Sequence, residues 1–373
     1  MSLALEAISK RLGWDDETAQ QEFAWLELMA KLKYDEYRDF LAGARFFERL
    51  AAWLGQFKTL EERKTAYDFV RKRLVFTSTA EINRLVELFY HRYVHQDLLR
   101  GAAETHGIPS YEVMVNERAR ETFHRLRRKT LFMGLSDGAR IDVLRRSNAG
   151  RLSNEQIVLQ PFLDDKKWRD LADELQENLE DDDNPKFKTV YVLDDFTASG
   201  TSLIRWKNGK LRGKLERLWK TLKGAKGKPG DTFPIDLKAQ VRVHHYMATE
   251  QARNHIEKLL TEAKQQLGDD WFEDIRPTYG LVFDEKLPVS ETEEPALWKL
   301  TEDYYDPGIE SEKHMKASGD THWKRGYGQC ALPLVLEHNT PNNSLALLWA
   351  ESTNPKEGAH SMRPLFYRRQ RHT

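Results

Sequence analysis

The sequence predicts an α/β protein, with a helical N-terminal region followed by a domain built on a mainly parallel sheet flanked by helices. Three observations carry that prediction. Apolar residues recur at three- and four-residue intervals through much of residues 1–129, the period of amphipathic helices. From Thr130 onward, short apolar runs alternate with helical patterns, the rhythm of parallel strands joined by crossover helices. One of those runs, "TVYVL", leads into two adjacent carboxylates and a loop of small hydroxyl residues.

In the N-terminal region, "AWLELMAKL", "FLAGARFFERLAAWLGQF" and "AEINRLVELFYHRYVHQDLL" each read as a helix, and Ser78 with Glu81 has capping-box spacing before the third. In the second region "TLFMGL", "TVYVL", "KAQVRVHHYMA" and "RPTYGLVF" read as strands. The stretches "SLIRWKNGKLRGKLERLWKTLK" and "TEQARNHIEKLLTEAKQQLG" read as helices, the latter capped by Thr249. The charged stretch "DDKKWRDLADELQENLEDDDNP" reads as a solvated helix and loop, and "GAKGKPGDTFP" as a loop. The domains expected are therefore 1–129 and 130–373, the latter closing with two apolar runs around a polar turn.

Composition narrows the functional classes. Of 373 residues, 40% are hydrophobic and 31% charged, enough for a sizeable core. With 58 basic against 59 acidic residues the net charge is −1, which argues against a general polyanion binder but leaves room for a local basic patch. Cys330 is the only cysteine, so no intrachain disulfide or CxxC metal site forms, in keeping with a cytoplasmic setting. The N-terminus lacks a secretory apolar core, and no uncharged run approaches the ~18 residues of a membrane span, so no membrane partner is expected.

Asp194 and Asp195 follow "TVYVL" directly. A Walker B strand would need a phosphate loop elsewhere, and "GKLRGK" has the wrong spacing; HExxH and GxSxG are absent too. The loop after the pair is more informative. Thr197, Ala198, Ser199, Gly200, Thr201 and Ser202 form a turn whose backbone N–H groups and hydroxyls suit a monophosphate, with a helix expected behind it. Two carboxylates beside such a cradle can accept hydrogen bonds from vicinal hydroxyls. Together these parts specify a ribose 5-phosphate unit.

The order of parts resembles the signature of type I phosphoribosyltransferases: an apolar strand, two acidic residues, three intervening residues, then Ser199-Gly200-Thr201-Ser202. Thr197 departs from that pattern, which usually carries an aliphatic residue there. "SDGARIDVLRRSN", "LSNEQI", "GYGQCALPLVLEHNTPNNSLALLW" and "RPLFYRR" further resemble the phosphoribosyltransferase-like proteins of bacterial conflict systems, including retron and other anti-phage loci. The likeness covers about residues 130–370. It implies a phosphoribosyltransferase-like domain, with Asp194 and Asp195 on the ribose of phosphoribosyl pyrophosphate or a related nucleotide and residues 197–202 on its 5-phosphate. It also implies Mg²⁺ arriving with the pyrophosphate, none being held by side chains alone. Defence proteins such as a reverse transcriptase are implied partners, and nucleic acid stays open as an acceptor.

Further candidates are weaker. Ser136, Asp137, Gly138 and Arg140, after the strand "TLFMGL", suit a pyrophosphate loop or a plain turn. Glu155 reads as an early-helix carboxylate or a site acid. His338, Asn339, Asn342 and Asn343 crowd one proline and suit either a polar turn or the reading of a nucleobase edge. One imidazole of His244-His245 is expected to face inward, and Tyr327 and Trp349 belong to the core. The tail arginines Arg368, Arg369 and Arg371 read as a solubilising end or a contact for an acidic surface.

Overall fold

Four helices open the chain in a computed structural model: α1 (Leu3–Leu12), α2 (Asp16–Leu32), α3 (Phe46–Leu54) and α4 (Leu60–Lys72). The structure describes residues 3–38, 40, 45–179, 181–182, 185–226, 233–310, 315, 319–352 and 360–368. The ends of these helices are set by their sequence. Asp15 caps α2 by accepting from the Thr18 N–H, and Thr59 with Glu62 closes a capping box on α4. Among the described residues the expected second helix, "FLAGARFFERLAAWLGQF", is helical only over α3, with Gly55 as its C-cap; residues 41–44 lie outside the described set.

After these helices comes β1 (Val75–Thr77), which pairs in parallel with the distant β9 (Leu334–Leu336). Three residues are too few to show a strand period, so β1 left no signal in the sequence, whereas β9 falls in the first of the two C-terminal apolar runs, which reads as strand-like. With α12 (Pro295–Asp303) and α13 (Ala346–Trp349) these elements make the first of two compact units, Met1–Glu81 with Asp284–Thr373. Its core includes Trp53, Phe57, Leu348 and Phe366, and the buried Trp53 indole donates to the Leu347 carbonyl at 2.7 Å. Trp349 is buried and Tyr327 partly so.

The second unit, Ile82–Phe283, holds a five-stranded sheet. Its strands are β2 (Thr130–Gly134), β3 (Ile157–Val158), β4 (Phe187–Thr197), β7 (Ile235–Thr249) and β8 (Asp274–Phe283), in the order β3-β2-β4-β7-β8 and all parallel. Alternation along β4 divides the core. Val190 and Val192 join a cluster with α9 (Asp165–Glu177), α10 (Lys214–Lys226) and α11 (Glu250–Leu267). Tyr191 and Leu193 join another with α5 (Thr79–Phe89), α6 (His95–His106), α7 (Glu117–Arg128) and α8 (Ile141–Ser147). Both faces are covered, as a parallel sheet requires.

That covering explains several differences from the sequence reading. Helix α9 is not merely solvated, because Trp168, Leu171 and Leu175 form a buried stripe on one side. His244 and His245 are both buried rather than one of them. Of the expected loop over 224–234, residues 227–232 lie outside the described set, as do residues 180 and 183 of the acidic run and residue 184 after it. The sequence divided the chain at residue 129, whereas the compact units are cut after Glu81 and Phe283. Helices α6 and α7 bury Leu98, Ala102, Ala119 and Phe123 with the sheet residues Phe132 and Tyr191, so they belong to the unit of the sheet. Among the described residues, no helix is long and apolar enough to cross a membrane.

Candidate functional site

Pairing around β4 creates the site. Its neighbour β2 accompanies it only to Gly134 opposite Leu193, whereas β7 continues to Ala248 opposite Thr197. A crevice therefore opens at Asp194 on the β2 side. The chain places β3 on one side of β2 and β4 on the other, so this is also the point where strand order reverses. Parallel sheets bind ligands outside the carboxyl ends of their strands at such points.

Asp194 and Asp195 lie inside β4, not just past its end, because pairing with β7 carries the strand four residues further than the apolar run, to Thr197. Alternation sends them to opposite faces. Asp194 is 3% exposed; it accepts from the Ser136 hydroxyl and forms an ion pair with Lys214, the first residue of α10. Burial raises the Asp194 carboxyl above the usual carboxylate range; Lys214 opposes that rise and Asp195 adds to it. Asp195 is half-buried and accepts from the Phe196 N–H at 2.8 Å. Gly138 packs so close to Asp195 that a Cβ on it would stand 2.2 Å from Oδ2.

The loop after β4 is anchored from beneath. Thr249, the N-cap of α11, donates its hydroxyl to the Ala198 carbonyl at 2.5 Å. Gly200 has φ +73°, and a Cβ there would meet His255 at 2.9 Å and Ile256 at 3.0 Å, so glycine is required twice over. The Ser199 and Thr201 hydroxyls share a hydrogen bond of 2.9 Å, and Ser202 is exposed. Thr197 is buried, and its hydroxyl has no hydrogen-bond partner among the described residues.

The helix expected directly behind this loop is absent from that position. Residues 205–212 form a hairpin, β5 (Arg205–Lys207) with β6 (Lys210–Arg212), and α10 begins only at Lys214. Asn208 and Gly209, both left-handed at φ +51° and +69°, make the tight turn. The Asn-Gly pair was the overlooked signal. The Lys214 N–H still reaches the Ser202 carbonyl at 3.0 Å, so the start of α10 stays beside the loop.

Across the crevice, Ser136, Asp137, Gly138 and Arg140 connect β2 to α8. Arg140 adopts φ +51°, an uncommon conformation for a side-chain-bearing residue. A cleft of about 500 Å³ lies between this loop and the segment after β3, lined by Ser136, Asp137, Arg140, Leu159, Pro161 and Phe162; neither the acidic pair nor residues 197–202 are in its wall. The structure thus brings the 136–140 loop to the acidic pair through Ser136 and Gly138.

Other candidates are placed elsewhere. Glu155 precedes β3, at the amino edge of the sheet, and pairs with Arg128 at 2.5 Å. Burial pushes its carboxyl up, but its own N–H, Arg128 and Ser153 outweigh that and lower it. His338, Asn339, Asn342 and Asn343 belong to the other compact unit. There Asn343 donates to the Tyr327 carbonyl at 2.8 Å, His338 lies 3.1 Å from the Glu337 carboxylate, and the Asn342 carbonyl accepts from the Tyr327 N–H. Only the His338–Glu337 contact is local; Asn342 and Asn343 tie the turn to Tyr327, some fifteen residues earlier in the chain. Arg369 and Arg371 lie outside the described residues.

Three residues near the pair had no assigned role in the sequence reading. Lys214 gave no signal within a lysine-rich stretch. Tyr246, on the strand beside β4, is fully buried, its hydroxyl unpartnered among the described residues and its pKa raised by burial, with both aspartates adding to the rise. His245, opposite Asp194 in the register, is lowered to about 3 by burial, with Lys214 adding to the effect.

A family description, PRTase-CE, matches residues 50–368. The chain belongs to the PRTase-CE family. It is therefore a phosphoribosyltransferase-like protein, as the order of parts from Tyr191 to Ser202 implied. The PRTase-CE match begins at residue 50, so it also takes in helices that the sequence resemblance left uncovered. Searches of curated proteins and of solved structures gave no match. Among the described residues of this PRTase-CE protein, no three His, Cys, Asp or Glu side chains gather as a metal cage.

Proposed function

We propose that the site binds phosphoribosyl pyrophosphate or a closely related nucleotide and transfers its phosphoribosyl group to a nucleotide or nucleic-acid acceptor. The observation that carries this reading is the Asp194–Asp195 pair at a strand-order reversal, with the 197–202 loop on one side and the 136–140 loop on the other. Asp195 accepts from the ribose hydroxyls, and Asp194, held by Lys214 and Ser136, fixes the floor beneath it. Residues 197–202 hold the 5-phosphate through backbone N–H groups and hydroxyls.

As the bond from the anomeric carbon to pyrophosphate breaks, the electron pair leaves with pyrophosphate and the carbon becomes electron-poor. The acceptor then donates a lone pair to that carbon. The nearby carboxylates favour the transient positive charge, so positioning and electrostatics supply most of the rate. Arg140 faces the departing pyrophosphate, and Mg²⁺, when bound, neutralises pyrophosphate oxygens. The reading extends to a cytoplasmic effector of bacterial anti-phage defence acting with other defence proteins, a reverse transcriptase among them.

The Lys214–Asp194 ion pair favours a second reading, since it commits one carboxylate before any ligand arrives. In that reading the protein senses a phosphoribosyl nucleotide, or serves as a structural partner in a defence complex, without turnover. Calorimetric titration with phosphoribosyl pyrophosphate and Mg²⁺ tests both, using wild type and Asp194→Asn with Asp195→Asn. Binding by wild type alone is expected. No binding by folded wild type overturns the ligand, and binding without pyrophosphate release across a nucleobase and nucleic-acid panel favours the sensor.

A further inference from the structure

A second charged feature lies away from the acidic pair. Residues 117–151 carry ten Lys and Arg against four Asp and Glu, in a chain whose net charge is −1. Part of that excess is neutralised: Arg125 and Lys129 pair with Asp182, Arg128 with Glu155, and Arg146 with Asp142. The side chains of Arg120, Arg127 and Arg151 have no carboxylate or hydrogen-bond partner among the described residues.

These three arginines are arranged with histidines on one surface. Arg120, His124 and Arg127 recur at four- and three-residue spacing along α7, a row about 10 Å long on one helix face. Phe123 packs edge-on against His95 at 5.2 Å, which sets α6 beside that row. His95 follows His91 by one turn, across a π-helical segment at Tyr90–Val94. Burial lowers the His95 imidazole, and His91, Arg127 and Arg151 lower it further; His124 is lowered by burial, then by Arg127 and Arg120. No carboxylate is among the influences on either imidazole. Arg120, Arg151, His91 and His124 are exposed.

The placement is independent of the ribose site. Helix α7 leads into the amino end of β2, and Arg151 lies in the link from α8 to the amino end of β3. The acidic pair stands at the opposite, carboxyl edge. Close like charges without counter-ions oppose folding, so a role in stability gives no account of them.

We propose that Arg120, Arg127 and Arg151, with His91, His95 and His124, form a surface that binds the phosphate backbone of a nucleic-acid strand. The cations are spread over α6, α7 and the α8–β3 link rather than converging, which suits an extended polyanion better than one phosphate. Arg120, Arg127 and Arg151 are all arginines, whose planar fork fits phosphate oxygens. Of the apolar residues of α7, Ala119 and Phe123 are buried and Leu126 packs half-buried against the same core, so the row offers no apolar wedge for a bilayer.

The test uses the full chain and a fluorescent single-stranded 20-nucleotide RNA, titrated by anisotropy between 50 and 200 mM salt. Wild type should bind with a steep salt dependence. Arg120→Gln with Arg127→Gln and Arg151→Gln should weaken binding at least tenfold and flatten the log–log salt slope by about 2, at roughly 0.7 per lost phosphate contact. The same positions changed to lysine should retain the slope, which separates lost charge from lost fold. Ribose 5-phosphate binding should be equal in all three proteins. No RNA binding by wild type, equal binding by the glutamine variant, or equally tight variant-sensitive binding to phosphatidylserine vesicles would each overturn the proposal.

Discussion

Lys214 and Asp194 form an ion pair in which the carboxylate side chain is 5% exposed and the ammonium side chain 23%. A carboxylate so enclosed is tolerable only with its partner present. Lys214→Met should therefore destabilise the fold by about 2–4 kcal/mol, toward the lower end of what breaking a buried pair costs because the ammonium is partly solvated. Adding Asp194→Asn should recover much of that loss, because the buried charge is gone. Urea denaturation of the two single variants and the double variant measures the coupling; additive losses would show that the pair contributes nothing.

Gly138 offers a way to disturb Asp195 without touching the pair itself. Its φ is not left-handed, so alanine is acceptable to the backbone, yet the new methyl would stand 2.2 Å from the Asp195 carboxylate. Gly138→Ala should displace that carboxylate and weaken ribose 5-phosphate binding about tenfold, roughly 1.4 kcal/mol. Thermal unfolding should shift little. Unchanged affinity in calorimetry would remove Asp195 from the ribose contact.

How far the sequence was legible depended on the range of each interaction. Local signals translated directly: Thr249 caps α11, Ser78 and Glu81 bond reciprocally, and the apolar runs at Thr130 and Thr189 pair as strands. Strand limits did not translate, because β4 is prolonged by β7 through Thr197, and that pairing partner lies some fifty residues away. The hairpin at Asn208-Gly209 was readable but masked by leucines and lysines at helical spacing. Lys214 was not readable at all, since only folding brings it to Asp194. Of the polar candidates, those following β2 and β4 met at one crevice because the strand order reverses there. Glu155 went to the opposite edge because it precedes its strand.

The buried histidines make stability depend on pH. His245 is lowered to about 3 and His244 lies well below 6.5, both chiefly by burial. An unfolded imidazole titrates near 6.5. Below that pH the unfolded chain takes up protons that the folded chain refuses, so stability is complete above about pH 6.5 and falls as the pH drops. The slope should reach about 1.4 kcal/mol per pH unit for each imidazole. Urea midpoints between pH 8 and pH 5 measure it, and His245→Phe should flatten the profile if this account holds.

Thr197 separates the demands of folding from those of binding. Its hydroxyl is buried without a partner among the described residues, at the position where the phosphoribosyltransferase pattern usually has an aliphatic side chain. An unsatisfied buried hydroxyl costs about 1–3 kcal/mol, and an apolar group of the same shape removes that cost. Thr197→Val should accordingly raise the unfolding free energy by about 1 kcal/mol. If the hydroxyl is held ready for the ligand, the same change should weaken ribose 5-phosphate binding severalfold, and denaturation with and without ligand reads both effects from one protein. A variant that is stabilised yet binds as tightly as wild type would make Thr197 a packing residue only, and the phosphate loop would then begin at Ala198.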